Sequence, residues 1–287
     1  AMGRHPDAFT ELYVNMVKAG EVGGILDTIL ERLSGYLEAS EKLKAKVKSA
    51  MMYPVVVVSI SLGVTVFLLT VIIPKFAGIF LSFGAELPMP TRVLIGISDF
   101  LRYNIHYLFA VVGGGIFAFK KYRKTERGHY ETDKLLMKAP VFGILLTKVA
   151  VAKFTRTFGT LIKSGVPIMQ ALETVAKTSG NKVIEGAILH VRDVVRGGEK
   201  LATPLKEAGI FPPMVLQMIS VGEETGNLDT MLTKIADFYD EEVNTAVEGL
   251  TSMIEPLVIV FMGGGSGAIV VAMFMPMFSM GDLASKQ

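Results

Sequence analysis

Charge disappears from the chain in two long runs. Residues 49–74 and 256–281 each hold 26 positions without Asp, Glu, Lys or Arg. At about 1.5 Å per helical residue, either run can cross a hydrocarbon core of about 30 Å with some tilt. A third charge-free run, residues 103–119, lies between Arg102 and Lys120. It is short for a span and needs its flanking cations to snorkel. Between the spans the pattern has helical period. Phe154, Phe158, Leu161 and Ile162 form one apolar stripe, and Lys153, Arg156, Thr157, Thr160 and Lys163 fill the opposite face. Ile184, Ala187, Ile188, Val191 and Val195 form another stripe. Outside the spans no useful length alternates with period two, so essentially no sheet is expected.

The same order of parts occurs twice. Residues 14–76 and 216–278 align at an offset of 202 without a gap. Met16 matches Met218, Gly20-Glu21 matches Gly222-Glu223, and Gly24 matches Gly226. Leu26-Asp27-Thr28 matches Leu228-Asp229-Thr230, and Leu30 matches Leu232. Pro54 matches Pro256 and Pro74 matches Pro276. Each copy predicts a short helix, a glycine turn, a long polar helix and a span bracketed by prolines. In the first copy the helices cover residues 9–22 and 25–49. In the second, Asn227 is a candidate N-cap and Asp229 sits at the positive helix end.

These elements predict an all-α polytopic membrane protein with three transmembrane helices and two cytoplasmic helical-bundle domains. Residues 1–53 form the C-terminal part of the first cytoplasmic domain, and residues 54–82 the first span. An outward loop covers 83–102, with a turn at Gly84, Pro88 and Pro90 and a short helix over 93–101. The second span covers 103–119, a basic linker 120–147, the second bundle of about six helices 148–254, and the third span 255–280. Orientation follows from lysine and arginine near the span ends. Lys42, Lys44, Lys46 and Lys48 precede the first span, and Lys120, Lys121, Arg123, Lys124 and Arg127 follow the second. The N-terminus is therefore expected in the cytoplasm. The first copy has far fewer residues before its hairpin than the second. A lone helical hairpin buries too little surface to be stable, so the first domain is expected to be truncated or completed by another chain.

Composition adds mainly exclusions. The chain is 51% hydrophobic with a mean hydropathy of +0.47, and its net charge of +2 gives no reason to expect nucleic acid. It has no cysteine and four histidines, none in a metal-binding pair, so no thiolate site, cofactor or catalytic constellation is expected. Gly263-Gly264-Gly265-Ser266-Gly267 resembles a phosphate loop but lacks the following Lys-Ser/Thr and lies in an apolar run, so it reads as a close-packing surface. Glu21, Asp27, Glu223, Glu224 and Asp229 at the hairpin turns suit a hard cation less well than helix capping. No charged residue interrupts a span, which disfavours a proton-coupled pump or an ion channel.

The copies diverge in charge just below the membrane. Lys44 and Lys46 correspond to Ala246 and Glu248, and Asp237, Asp240, Glu241, Glu242, Glu248 and Glu255 form an acidic stretch without Lys or Arg. Anionic lipid suits the basic stretch and repels the acidic one. The acidic helix is therefore expected to face protein: the basic helix of the first copy, a neighbouring protomer or a basic partner. Pro54 and Pro256, where each polar helix enters the bilayer, are hinge candidates.

Three stretches carry a resemblance to a known family. They are Phe154-Thr-Arg-Thr-Phe-Gly-Thr-Leu-Ile-Lys-Ser-Gly-Val-Pro-Ile, the Gly-Glu-Glu-Thr-Gly-Asn-Leu run at 222–228, and Gly-Glu-Val-Gly-Gly-Ile-Leu at 20–26. Together with the three spans and the duplication, the chain resembles the inner-membrane platform proteins shared by type IV pilus assembly and type II secretion. Phe83-Gly-Ala-Glu-Leu-Pro resembles the pilus branch more closely. The resemblance implies a non-enzymatic platform that couples a cytoplasmic assembly ATPase to extraction of pilin or pseudopilin subunits. Other inner-membrane assembly proteins, membrane lipid and further copies of the chain are the implied partners. Gly20, Glu21, Gly222, Glu223, Glu224, Gly226 and Asp229, with Asp240, Glu241, Glu242, Lys44 and Lys46, are the candidate contact residues. A transporter or channel, or a membrane-bound enzyme, would instead need a polar path or a titratable cluster assembled from distant parts.

Overall fold

The computed structural model describes residues 2–5, 9–82, 88–140 and 142–284. Within them the chain is helical and no strand occurs. The helices are α1 (Glu11–Gly23), α2 (Leu26–Phe67), α3 (Ile73–Ser82), α4 (Met89–Arg123), α5 (Glu126–Lys138), α6 (Phe142–Lys163), α7 (Ile168–Thr178), α8 (Lys182–Arg196), α9 (Ala202–Glu207), α10 (Pro213–Thr225) and α11 (Leu228–Ala284). They group into two compact units. One comprises residues 1–48 and 122–248, the other residues 49–121 and 249–287.

The first unit is the polar one. Thr10 caps α1 by accepting a hydrogen bond from the Tyr13 amide, and Gly24 ends the helix with φ 65°. The second copy repeats the glycine ending but not the side-chain cap: α10 starts on Pro213 and ends at Gly226 with φ 70°. Gly20 and Gly222 occupy equivalent places. A Cβ on Gly20 would lie 2.9 Å from Ile29 Cγ1, and one on Gly222 would lie 3.0 Å from Leu228 Cα. Both glycines therefore let the hairpin arms close on each other.

The core is formed by the expected stripes. Phe154, Phe158 and Leu161 of α6, Leu172 and Val175 of α7, and Ile188 and Val191 of α8 are buried with Ile219 and Ile235. The Phe154 ring lies 5.5 Å from Phe158 and 4.8 Å from Phe211. Gly159 brings α6 against α11, where a Cβ would meet Leu232 Cβ at 3.0 Å.

Three local features differ from the sequence expectation. Thr157, assigned to the polar face of α6, is buried and bonds Tyr36 of α2, because the first-copy hairpin covers that face. The segment expected as a basic linker contains helix α5. It is capped by Thr125 and tied down by buried Asp133, which accepts from the Lys182 amide at 2.8 Å. The helix expected over 93–101 is the beginning of α4, which starts at Met89 and continues through Arg102. A single arginine marks a change in charge but does not break a helix, and Pro90 fits a first turn.

The second unit holds the apolar runs. Two helical stretches, Leu26–Ile79 and Leu228–Met275, are long and apolar enough to cross a membrane. Only 6% and 11% of their most apolar windows are buried. Val55, Ile60, Leu62 and Phe67 on the first, and Leu257, Phe261 and Val271 on the second, are exposed. So much unpaired apolar surface matches a lipid environment. Helix α4 contains the charge-free residues 103–119 and exposes Val111, Ile116 and Phe117. Between α2 and α3, residues Leu68–Ile72 form a π-helical turn. Residues 83–87, which carry most of the pilus-like Phe83-Gly-Ala-Glu-Leu-Pro motif and the Gly84 turn, lie outside the described residues.

Candidate functional site

The divergent charges of the two repeats meet in the polar unit around Arg156. Its position follows from α6: Phe154 and Phe158 point into the core, which leaves Arg156 toward α2 and α11. Arg156 Nη2 donates to Asp237 Oδ1 at 2.8 Å and to Asp240 Oδ2 at 2.5 Å. Burial works against the guanidinium charge, but the hydrogen bonds to Asp240 and Asp237 outweigh it and hold its pKa above the ordinary arginine value. The Arg156 Nε is buried and has no hydrogen-bond partner.

A cleft of about 290 Å³ opens beside this cluster. Lys42 and Lys46 of α2 line one side, and Asp237, Asp240, Glu241 and Asn244 of α11 the other. Lys46 Nζ donates to Asn244 Oδ1 at 2.8 Å, and Asn244 Nδ2 donates to Glu241 Oε2 at 3.0 Å. Glu242 pairs with Lys148 of α6 at 2.7 Å. Lys44 pairs within its own helix, with Glu41 at 3.1 Å. Asp237, Asp240 and Glu242 thus pair with cations of α6, and Lys46 of the basic helix reaches α11 at Asn244.

A second cleft of about 180 Å³, on the other side of Arg156, is lined by Arg32, Tyr36, Thr160, Lys163 and Thr233. Arg32 donates to the Lys163 carbonyl, and Tyr36 Oη lies 3.1 Å from Thr157 Oγ1. Helix α1 is held to α7 by its own polar contacts. Asn15 donates to Thr174 Oγ1 at 2.8 Å, and Lys177 pairs with Glu11 at 2.8 Å.

The turn candidates separate by role. Glu223 accepts from the Leu201 amide at 2.9 Å and so anchors the start of α9, and Glu224 pairs with Lys200 at 2.9 Å. Asp229 lies in the first turn of α11 and Asp27 in the first turn of α2. Glu21 is exposed on α1. Gly20, Gly222 and Gly226 shape the hairpins. Pro54 is buried inside α2, and Pro256 is exposed on α11. Among the described residues, no group of three or more His, Asp or Glu side chains is placed to hold a metal ion. The sequence reading missed Arg156 and Lys148 as partners of the acidic helix. Arg156 stands in the quoted motif, but its pairing with Asp240 joins positions 84 residues apart.

The paired charges hold α6, α2 and α11 together within the polar unit. The fold is an all-helical membrane protein: a polar helical unit built on a duplicated hairpin, and a unit of long apolar helices. The chain belongs to the family of type II secretion system protein F, whose family model matches residues 1–74 and 154–276. The chain is 49% identical over 280 residues to the type IV pilus assembly protein PilC of Myxococcus xanthus, covering 98% of this chain and 67% of that protein. It is 46% identical over 279 residues to PilC of Thermus thermophilus, covering 97% of this chain and 68% of that protein. Identity to the type II secretion system protein F of Pseudomonas aeruginosa is 34% over 278 residues, with 97% and 69% covered.

Proposed function

We propose that the chain is an inner-membrane platform protein of type IV pilus assembly. It receives the stroke of a cytoplasmic assembly ATPase and passes it to pilin subunits leaving the membrane. The observation that carries this reading is the identity to relatives named for pilus assembly, 49% and 46% over nearly the whole chain, against 34% for a secretion relative.

The topology is part of the proposal. Three spans over 54–82, 103–119 and 255–280 carry the chain through the inner membrane with its N-terminus in the cytoplasm. Residues 83–102 face outward, and residues 120–147 and 148–254 lie in the cytoplasm with residues 1–53. The lysines before the first span and the cations at 120–127 support this orientation. Pro54 and Pro256 are where motion of the polar helices is absorbed or passed to the spans. The cleft between Lys42, Lys46 and the acidic face of α11, together with the Gly20–Glu21 and Gly222–Asp229 turns, is the contact surface for the ATPase, for other inner-membrane assembly proteins or for further copies of the chain.

Crosslinking in intact membranes followed by co-purification tests the reading. Recovery of a pilus-assembly ATPase and pilins supports it. Recovery of secretion ATPase and pseudopilins would assign the chain to the secretion branch, and recovery of neither class would sink the platform reading.

A further inference from the structure

The two repeated spans share a backbone defect, and one helix repairs it in both. Pro74 and Pro276 are equivalent positions of the repeat. Proline has no N–H, so each leaves one helical carbonyl without its partner. In α11 the orphan is the carbonyl four residues back, that of Ala272. In the first copy the π-helical turn shifts the count by one. The Ile73 amide already donates to the Leu68 carbonyl, five residues back, so the next in line, Leu69, is the carbonyl that Pro74 cannot serve.

Helix α4 supplies a hydroxyl to each of these two carbonyls. Ser98 Oγ donates to the Leu69 carbonyl, and Thr91 Oγ1 donates to the Ala272 carbonyl at 2.5 Å. Both donors are buried, with Ser98 0% and Thr91 5% exposed. They stand seven residues apart, two helical turns, and so lie on one face of α4. Three other hydroxyls of this unit behave differently. Ser59, Thr65 and Thr70 bond the carbonyl four residues back in their own helix, the usual habit of such side chains. Thr91 and Ser98 instead reach across to the carbonyls that proline leaves open. A buried carbonyl left unpaired is costly, so the match of donor to orphan has a direct energetic reason.

The geometry points to Ser98 and Thr91 as positioning residues that cap the proline breaks of the two repeats, which makes α4 the strut holding both breaks in register. This assignment rests on hydrogen bonds within the apolar unit and is independent of the pilus reading.

Thermal unfolding of the full chain in lipid nanodiscs tests it through the prolines. Ser98→Ala lowers the midpoint by about 2–4 °C, the shift of one net hydrogen bond in a chain of this size. In a Pro74→Ala background, which returns an N–H to serve Leu69, the drop shrinks to less than half. In a Pro276→Ala background it persists. Thr91→Val behaves conversely, relieved by Pro276→Ala and untouched by Pro74→Ala. Thr91→Ser, which loses a methyl group but keeps the donor, gains nothing from Pro276→Ala. Should Ser98→Ala fail to accumulate in membranes, accumulation is the readout, restored by Pro74→Ala and not by Pro276→Ala. Equal losses in every proline background, or relief by either proline replacement alike, would overturn the assignment.

Discussion

Tyr36 and Thr157, 121 residues apart, share a buried hydrogen bond of 3.1 Å between Tyr36 Oη and Thr157 Oγ1. It joins the first-copy hairpin to a face of α6 that looks solvent-facing from the sequence. Tyr36→Phe is expected to cost about 1 kcal/mol, the net worth of such a bond. Adding Thr157→Val to Tyr36→Phe should cost less than the sum of the two single changes, because both then lose the same contact. Chemical unfolding of the three variants measures this, and additive costs would show that the bond contributes nothing.

Arg156 holds two carboxylates with unequal exposure. The Asp240 side chain is 32% exposed and that of Asp237 64%. Asp240→Asn should therefore destabilise more than Asp237→Asn, by roughly 1.5–3 kcal/mol against under about 1 kcal/mol. Arg156→Met should cost at least as much as Asp240→Asn, since it leaves both acids unpaired. Unfolding midpoints in denaturant decide the order, and equal effects of the two aspartate changes would contradict it.

The equivalent glycines of the repeat predict unequal penalties. A Cβ at position 222 meets the Leu228 backbone, whereas one at 20 first meets the side chain of Ile29. A side chain yields more readily than a backbone, so Gly222→Ala should destabilise by about 1–3 kcal/mol and Gly20→Ala by less. Equal or reversed costs in an unfolding titration would show that Ile29 yields no more readily than the Leu228 backbone.

Lys153 gives the pH dependence. Burial lowers its pKa below the ordinary lysine value, and its Nζ donates to the Ser179 carbonyl at 3.2 Å. The folded state therefore binds this proton less readily than the unfolded chain. The resulting penalty is full below the folded pKa and is relieved as pH rises from there toward the unfolded value. Lys153→Met should raise the thermal midpoint at pH 7, with the gain shrinking as pH approaches the ordinary lysine range. A gain that does not change with pH would point to packing and not charge.

Much of the fold was legible because it rests on local signals. Gly24 and Gly226 stand where glycine can take a positive φ and close a helix, and the 26-residue charge-free runs need no tertiary context. The repeat also carried over to three dimensions, though not to every neighbour. Leu30 and Leu232 are equivalent in sequence, yet Leu30 is 42% exposed and Leu232 fully buried, because only the second copy packs against Gly159. Residues 126–138 were harder to read, since basic side chains on an exposed helix look like a linker until Asp133 is seen holding the Lys182 amide. The candidate site was half legible. The acidic stretch of α11 was visible as a charge pattern, but which cations answer it depends on α6 lying alongside, and a linear pattern does not encode that pairing. Likewise the prolines announce an orphaned carbonyl, and only the fold says that Ser98 and Thr91 reach it.

The central claim, that the chain is a pilus-assembly platform whose charged cleft meets its machinery, has one direct measurement. A photo-crosslinking residue placed at Lys42, on the rim of the cleft, is activated in membranes of cells assembling pili, and the adducts are identified by mass spectrometry. Adducts with a pilus-assembly ATPase, another inner-membrane pilus component or a second copy of the chain are the predicted result. Adducts with lipid alone, while the same probe at an exposed residue of α5 captures the assembly proteins, would contradict the cleft as the contact surface. Assembly proteins captured from neither position would contradict the platform itself.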